Sequence, residues 1–189
     1  MISQEARQEI DGMVRSGFYD KSRLIEIFCE EMYEPGELSE EEVANEIDHA
    51  FLRLTAEMAT WPAITDCDKL DMVFRKLNDR GIIALQNAGN TQSDGYDDCM
   101  EIYHAAKNKN VLLGYCYYHG QDLDRAVLGG GLFFAFGPLN PKEEETKGPA
   151  IGQIIKEELE HEGFIVDWNG TFNKRIHVPN IVWKKRTSR

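Results

Sequence analysis

Val111-Leu112-Leu113-Gly114-Tyr115-Cys116-Tyr117-Tyr118-His119-Gly120-Gln121-Asp122 is the stretch on which the reading of this chain turns. A run of apolar and aromatic residues stops abruptly at a histidine, a glycine and an amide–acid pair. A short apolar run bounded by turn residues reads as a buried strand, and its polar end as the loop into a helix. The pattern recurs on both sides. Residues 82–86 follow Gly81 and lead into an amide- and carboxylate-rich loop, and residues 132–136 follow Gly129-Gly130-Gly131. If the three strands are parallel, their loops share one end of a sheet, where α/β proteins hold ligands. The helix expected over 121–128 is barely long enough for a parallel crossover.

Working outward, helices alternate with these strands. Leu70, Val73, Phe74 and Leu77 form one apolar stripe after Thr65-Asp66-Cys67-Asp68. Ser93-Asp94-Gly95 reads as the cap of a helix through Ala106, and Pro149 as the start of a last helix carrying Ile151, Ile154, Ile155 and Leu159. Residues 164–168, 175–178 and 181–183 read as further strands, with Asn169-Gly170 as a hairpin turn. Before residue 62 the periodicity is helical throughout, and Ser39-Glu40-Glu41-Glu42 has the form of a capping box. The expected fold is therefore α+β with α/β-like alternation: a central mixed sheet of about five strands flanked by helices, with an N-terminal helical layer. Residues 1–62 form the helical segment and 63–189 the α/β domain.

Charge and composition exclude several classes. The formal charge is −12 over 189 residues. The first sixty residues hold five basic and fifteen acidic side chains, so these helices would repel phosphates and nucleic acid is not an expected partner. No run approaches the ~18–20 apolar residues of a membrane span, and the N-terminus is polar and acidic, so neither membrane insertion nor secretion is expected. Cys29, Cys67, Cys99 and Cys116 are widely spaced with no CxxC pair and read as reduced thiols in a cytoplasmic protein. Scattered histidines without HxH or HExxH, glycines that open a strand rather than a helix, and the absence of Gly-x-Ser-x-Gly leave no zinc, phosphate-loop or hydrolase-elbow signature. No cofactor is indicated.

Chemistry concentrates in two loops. Residues 87–98 supply Asn87, Gln92, Asp94 and Asp98 around two glycines, a set suited to hard-oxygen ligation or to ligand hydrogen bonds, and equally to helix capping. The second loop supplies His119, Gln121 and Asp122. A histidine at the end of a strand is placed for acid–base work, with Asp122 or Asp98 to orient it. The candidate catalytic residues are His119 and Asp98; the candidate ligand-binding residues are Asn87, Gln92, Asp94, Gln121 and Asp122. Whether a metal belongs here is left open.

Thr65-Asp66-Cys67-Asp68, residues 86–98, Tyr118-His119-Gly120-Gln121-Asp122-Leu123, Gly129-Gly130-Gly131-Leu132, Glu145-Thr146-Lys147-Gly148-Pro149 and Trp168-x-Gly170-Thr171-Phe172-x-x-Arg175-Ile176 together resemble an uncharacterised bacterial family of unknown function. The resemblance spans about 61–183 and implies a bacterial, intracellular protein without specifying a reaction. The residues themselves favour a non-enzymatic binding or accessory module, immunity-like, with an acidic surface that suits a basic protein partner or a small ligand. The alternative is a metal-assisted hydrolase or a small-ligand sensor built on Asp94, Asp98 and His119.

Overall fold

A computed structural model describes residues 2–187, which form two compact units: 2–65 with 183–187, and 66–182. In the first unit, α1 (Gln4–Ser16) starts at Ser3, whose hydroxyl accepts from Ala6 N, and ends at Gly17 in the left-handed conformation. Helix α2 (Lys21–Glu26) runs on into a π-helical turn, Ile27–Glu31, and α3 (Glu40–Met58) begins at Ser39. Ile10, Val14, Leu24, Phe28, Ile47 and Leu54 close the core among them. Arg15 donates through both terminal nitrogens to Glu57, at 2.7 and 2.6 Å. Residues 181–183 form no strand. Instead, the Trp183 indole donates to Ser16 O at 3.1 Å, which carries the tail into this helical unit.

The second unit runs α4 (Asp66–Asp79), β1 (Ile82–Leu85), α5 (Gln92–Ala105), β2 (Gly114–Tyr117), α6 (Gly120–Val127), β3 (Leu132–Pro138), α7 (Glu144–His161), β4 (Ile176–Val178). The fold is α+β, with a mixed sheet of four strands in the order β1-β2-β3-β4 rather than five. β1 and β2 are parallel, whereas β2–β3 and β3–β4 are antiparallel. The third apolar run is thus not parallel to the first two. The physical reason is the length of α6: eight residues and a glycine turn return the chain beside β2 but cannot carry it back to the other end. Residues 164–168 supply a single bridge, Asp167 to His177, because Trp168 leaves the strand path and donates to the carbonyls of Thr171 and Lys174.

Two helix starts also differ from the sequence expectation. Thr91, not Ser93, caps α5. Helix α7 starts at Glu144, so Pro149 lies inside it rather than at its start. Gly148 helps make that possible, since a residue without Cβ removes the usual clash before proline.

Strand alternation gives the sheet two different faces. Phe74 of α4 meets Tyr118 edge-on at 5.7 Å and Phe134 at 6.1 Å on one side. On the other, Ile83, Tyr115, Tyr117 and Ala135 pack with Cys99 and Tyr96 of α5. The outer edge of β1 is closed by Asn78, whose side-chain amide accepts from Ala84 N and donates to Ala84 O, both at 3.1 Å. That pairing occupies backbone groups an edge strand would otherwise expose. Among the described residues no helix is long and apolar enough to cross a membrane.

Glycines make the contact between α7 and the segment before β4. A Cβ on Gly152 would lie 2.5 Å from the Trp168 ring, and one on Gly148 would lie 2.6 Å from Phe172. Gly152→Ala is therefore expected to destabilise the protein by about 1–3 kcal/mol, the cost of overpacking. Gly12→Ala, in α1 with open space around it, should stabilise by roughly 0.5–1 kcal/mol. Denaturant unfolding of the two variants checks both signs.

Candidate functional site

The parallel pairing of β1 and β2 puts their carboxyl ends side by side, and backbone bonds join the loops that follow. Ala88 N donates to Tyr118 O at 2.9 Å, Gly120 N to Gly89 O at 3.0 Å and Gln121 N to Asn90 O at 3.4 Å. Asn87 turns the first loop at φ 51°, a left-handed conformation that asparagine tolerates. Gly120 admits the close approach, since a Cβ there would lie 2.8 Å from Asn90 Oδ1. The two polar loops therefore share one end of the sheet.

Within this end the candidate residues divide. Asp94 is exposed and acts in the capping box of α5: its Oδ2 accepts from Thr91 N at 2.8 Å and Asn90 N at 3.2 Å. The Thr91 backbone bond, above all, holds its carboxyl below the usual range. Gln121 is exposed in the first turn of α6. Asp98 lies one turn beyond Asp94 on α5, half-buried, and is not among the charges acting on His119. Those charges are Asp122, Arg175, Asp94 and Arg125. Among the described residues no group of three or more His, Cys, Asp or Glu is arranged to hold a metal ion.

Asp122 is the acid that meets the histidine. His119 is the N-cap of α6 and only 4% exposed. Its Nε2 lies 3.0 Å from Asp122 Oδ2, which also accepts from the His119 backbone N–H at 3.5 Å. The same oxygen accepts a charge-assisted hydrogen bond from Arg175 Nη2, and Nη2 donates in addition to Phe133 O at 3.2 Å. Burial lowers the His119 pKa more than Asp122 raises it, so the ring is neutral near pH 7. A neutral ring that donates Nε2–H to the carboxylate leaves Nδ1 as a bare acceptor.

Three buried side-chain polar atoms among the described residues lack a hydrogen-bond partner: His119 Nδ1, Arg175 Nε and His177 Nε2. All three belong to one neighbourhood. His177 stacks on Phe133 with centroids 3.9 Å apart, and the guanidinium carbons of Arg125 and Arg175 lie 5.4 and 5.6 Å from the Phe133 ring centre. Unpaired buried polar atoms are rare enough in native proteins that three together call for a cause.

Beside this group, Gln92, Tyr115, Ala135, Phe136, Phe172, Asn173 and Arg175 line a cavity of ≈ 340 Å³. Tyr115 and Phe172 bring aromatic residues to it, the Phe136 ring packs on Trp168, and burial pushes the Tyr115 phenol up, so the hydroxyl keeps its proton. Gln92 comes to the wall because α5 starts one residue after Thr91, with Gln92 O accepting from the Tyr117 hydroxyl at 2.6 Å. Gly95 leaves room for that Tyr117 ring, 2.5 Å from where its Cβ would be. Sequence reasoning marked Gln92 but passed over Tyr115, Phe172 and Arg175. The available signal was Arg175 itself, a cation directly before the apolar start of a strand.

With this arrangement described, comparison with known proteins gives a family. The chain belongs to the family described as a domain of unknown function, DUF6891. The match covers residues 2–187, nearly the whole length. No curated protein and no solved structure matches the chain. Membership thus leaves the chemistry to be argued from the site.

Two outcomes follow from the buried group. Asp122→Ala should destabilise by about 3 kcal/mol in denaturant unfolding, because it leaves the Arg175 charge and the His119 N–H without their acceptor. Because the folded-state pKa of His119 lies below the ordinary 6.5, the unfolded chain takes up the proton first. The stability this group contributes is full above about pH 6.5 and is lost as the pH falls from there through the folded-state value. Melting temperatures at pH 7.5 and 5.5 should therefore diverge more in the parent protein than in His119→Gln; equal divergence would remove His119 from the account.

Proposed function

We propose that this protein is a non-enzymatic binding module that holds a small planar ligand in the cavity between Gln92, Tyr115, Phe172 and Arg175. The observation that carries the reading is the Arg175 guanidinium beside an aromatic-walled cavity. One of its terminal nitrogens is anchored to Asp122 and Phe133 O, while Nη1 has no protein partner among the described residues. A concave space that joins aromatic residues to a few convergent polar groups is a usual form of a small-ligand site. The volume, ≈ 340 Å³, lies at the small end of the range such sites occupy.

The group that resembles catalytic machinery fits a supporting role better. His119 is buried and does not line this cavity. Its bond to Asp122 fixes the carboxylate that in turn fixes Arg175, which is the preorganisation a binding site needs. Asp94 is committed to helix capping. A hydrolase would need an acid or base in reach of bound substrate, and neither Asp98 nor His119 lines the cavity.

The test is a ligand-observed NMR and thermal-shift screen of planar fragments bearing carboxylate, amide or hydroxyl groups. Arg175→Gln should weaken the hits by roughly tenfold, the loss of one good hydrogen bond of about 1.4 kcal/mol. Gln92→Ala should weaken them less. Hits that survive Arg175→Gln unchanged would place the ligand elsewhere and sink the proposal.

A further inference from the structure

The charges around Arg175 narrow the ligand class. Arg175 is not a free cation: its charge is matched by the buried Asp122, whose side chain is 3% exposed. His119, the third member, carries no charge near neutral pH. The group as it stands is balanced. An anion placed on Arg175 would leave one buried negative charge in excess, a costly state unless something compensates it. A proton on His119 does so without moving any side chain. Nε2 already faces Asp122, and Nδ1 has no protein hydrogen-bond partner, so a proton there displaces no donor, at the cost of an N–H without a protein acceptor that the added negative charge must outweigh. The other charged groups that act on His119 are Asp94 from the α5 cap and Arg125 from α6, one of each sign. The decisive change is therefore the charge added at Arg175.

The walls supply the rest. Phe136 and Phe172 meet edge-to-face, with centroids 6.0 Å apart and planes at 83°. The Phe136 ring is thus committed to Phe172 and Trp168, and the Phe172 ring beside Tyr115 is the surface an inserted aromatic ring can meet. Tyr115 O–H and the Arg175 Nη1 are donors, which match a carboxylate's acceptors. A tetrahedral anion would leave the aromatic residues of the lining unused.

The geometry points to an aromatic monocarboxylate as the ligand, taken up together with one proton, the carboxylate on Arg175 and the proton on His119 Nδ1. This assignment rests on the binding reading given above. The proton comes from solvent and no covalent bond changes. Binding at this site then tightens as the pH falls, while the ligand stays ionised above the ordinary carboxyl range of roughly 4.

The experiment is isothermal titration of the full chain with benzoate at pH 7.5 and pH 5.5, at constant ionic strength. Acetate, inorganic phosphate and benzamide are the comparators. The expected result is benzoate binding that is about tenfold or more tighter at pH 5.5, lost in Arg175→Gln, with the pH effect alone absent in His119→Gln. Should His119→Gln fold poorly, the His119 imidazole resonances of the parent protein serve instead: their titration midpoint must rise when benzoate saturates the site. Benzoate binding that is independent of pH, with an unmoved His119 midpoint, overturns the proton. Acetate or phosphate binding as tightly as benzoate, or benzamide binding through Arg175 while benzoate does not, overturns the ligand class and leaves the binding reading intact. If none of the four probes binds in an Arg175-dependent way, the ligand class falls, and the fragment screen alone decides the broader reading.

Discussion

One buried carboxylate oxygen, Asp122 Oδ2, holds together parts of this protein that are far apart in sequence. It meets the His119 ring and backbone at the start of α6, and Arg175 at the approach to β4. Taking a carboxylate out of water costs several kcal/mol, and only a close opposite charge with additional hydrogen bonds recovers it. Here one oxygen has all three donors. The consequence is positional. The short helix α6 cannot slide along the sheet without breaking the pair, and the Arg175 side chain cannot swing to solvent without leaving the charge buried. Whatever Arg175 does, it does from a fixed place.

That fixed place depends on a second constraint, the absence of side chains on α7. Gly148 and Gly152 lie one turn apart and leave a groove into which Phe172 and Trp168 pack. The two aromatic rings pin an otherwise irregular segment, which makes only one β-bridge before β4 begins. The motifs Glu145-Thr146-Lys147-Gly148-Pro149 and Trp168-x-Gly170-Thr171-Phe172-x-x-Arg175-Ile176 are thus two halves of one contact. Its product is a wall of the cavity and the direction from which Arg175 approaches. Overpacking the groove would shift both.

The asymmetry of the sheet explains why a cavity exists at all. Helix α5 packs on the face carrying Tyr115 and Tyr117, near β1 and β2, while α6 is too short to cover β3 along its length. A parallel third strand would have required a longer connection. The short α6 produces the antiparallel return, and Ala135 and Phe136 of β3 border the cavity.

The sequence by itself determined the α+β class, the positions of the first three strands to within a few residues, and the adjacency of the two polar loops, because strand length, glycine punctuation and helix periodicity are local signals. It also held the whole capping chemistry of residues 91–94, though it read the cap two residues late. What only the tertiary structure decided is which acid meets His119. Asp122 and Asp98 are equal candidates in a one-dimensional chain; the folded chain selects Asp122 because the N-cap geometry of α6 turns its third helical residue back onto the capping histidine. The direction of β3 was signalled only by the shortness of α6, whereas the fate of residues 164–168 and the role of Arg175 were not legible, since they depend on a groove defined by missing Cβ atoms and on contacts more than forty residues apart in sequence. Local hydrogen bonds and periodicity are written residue by residue, whereas burial of a charge pair exists only once distant segments exclude water together.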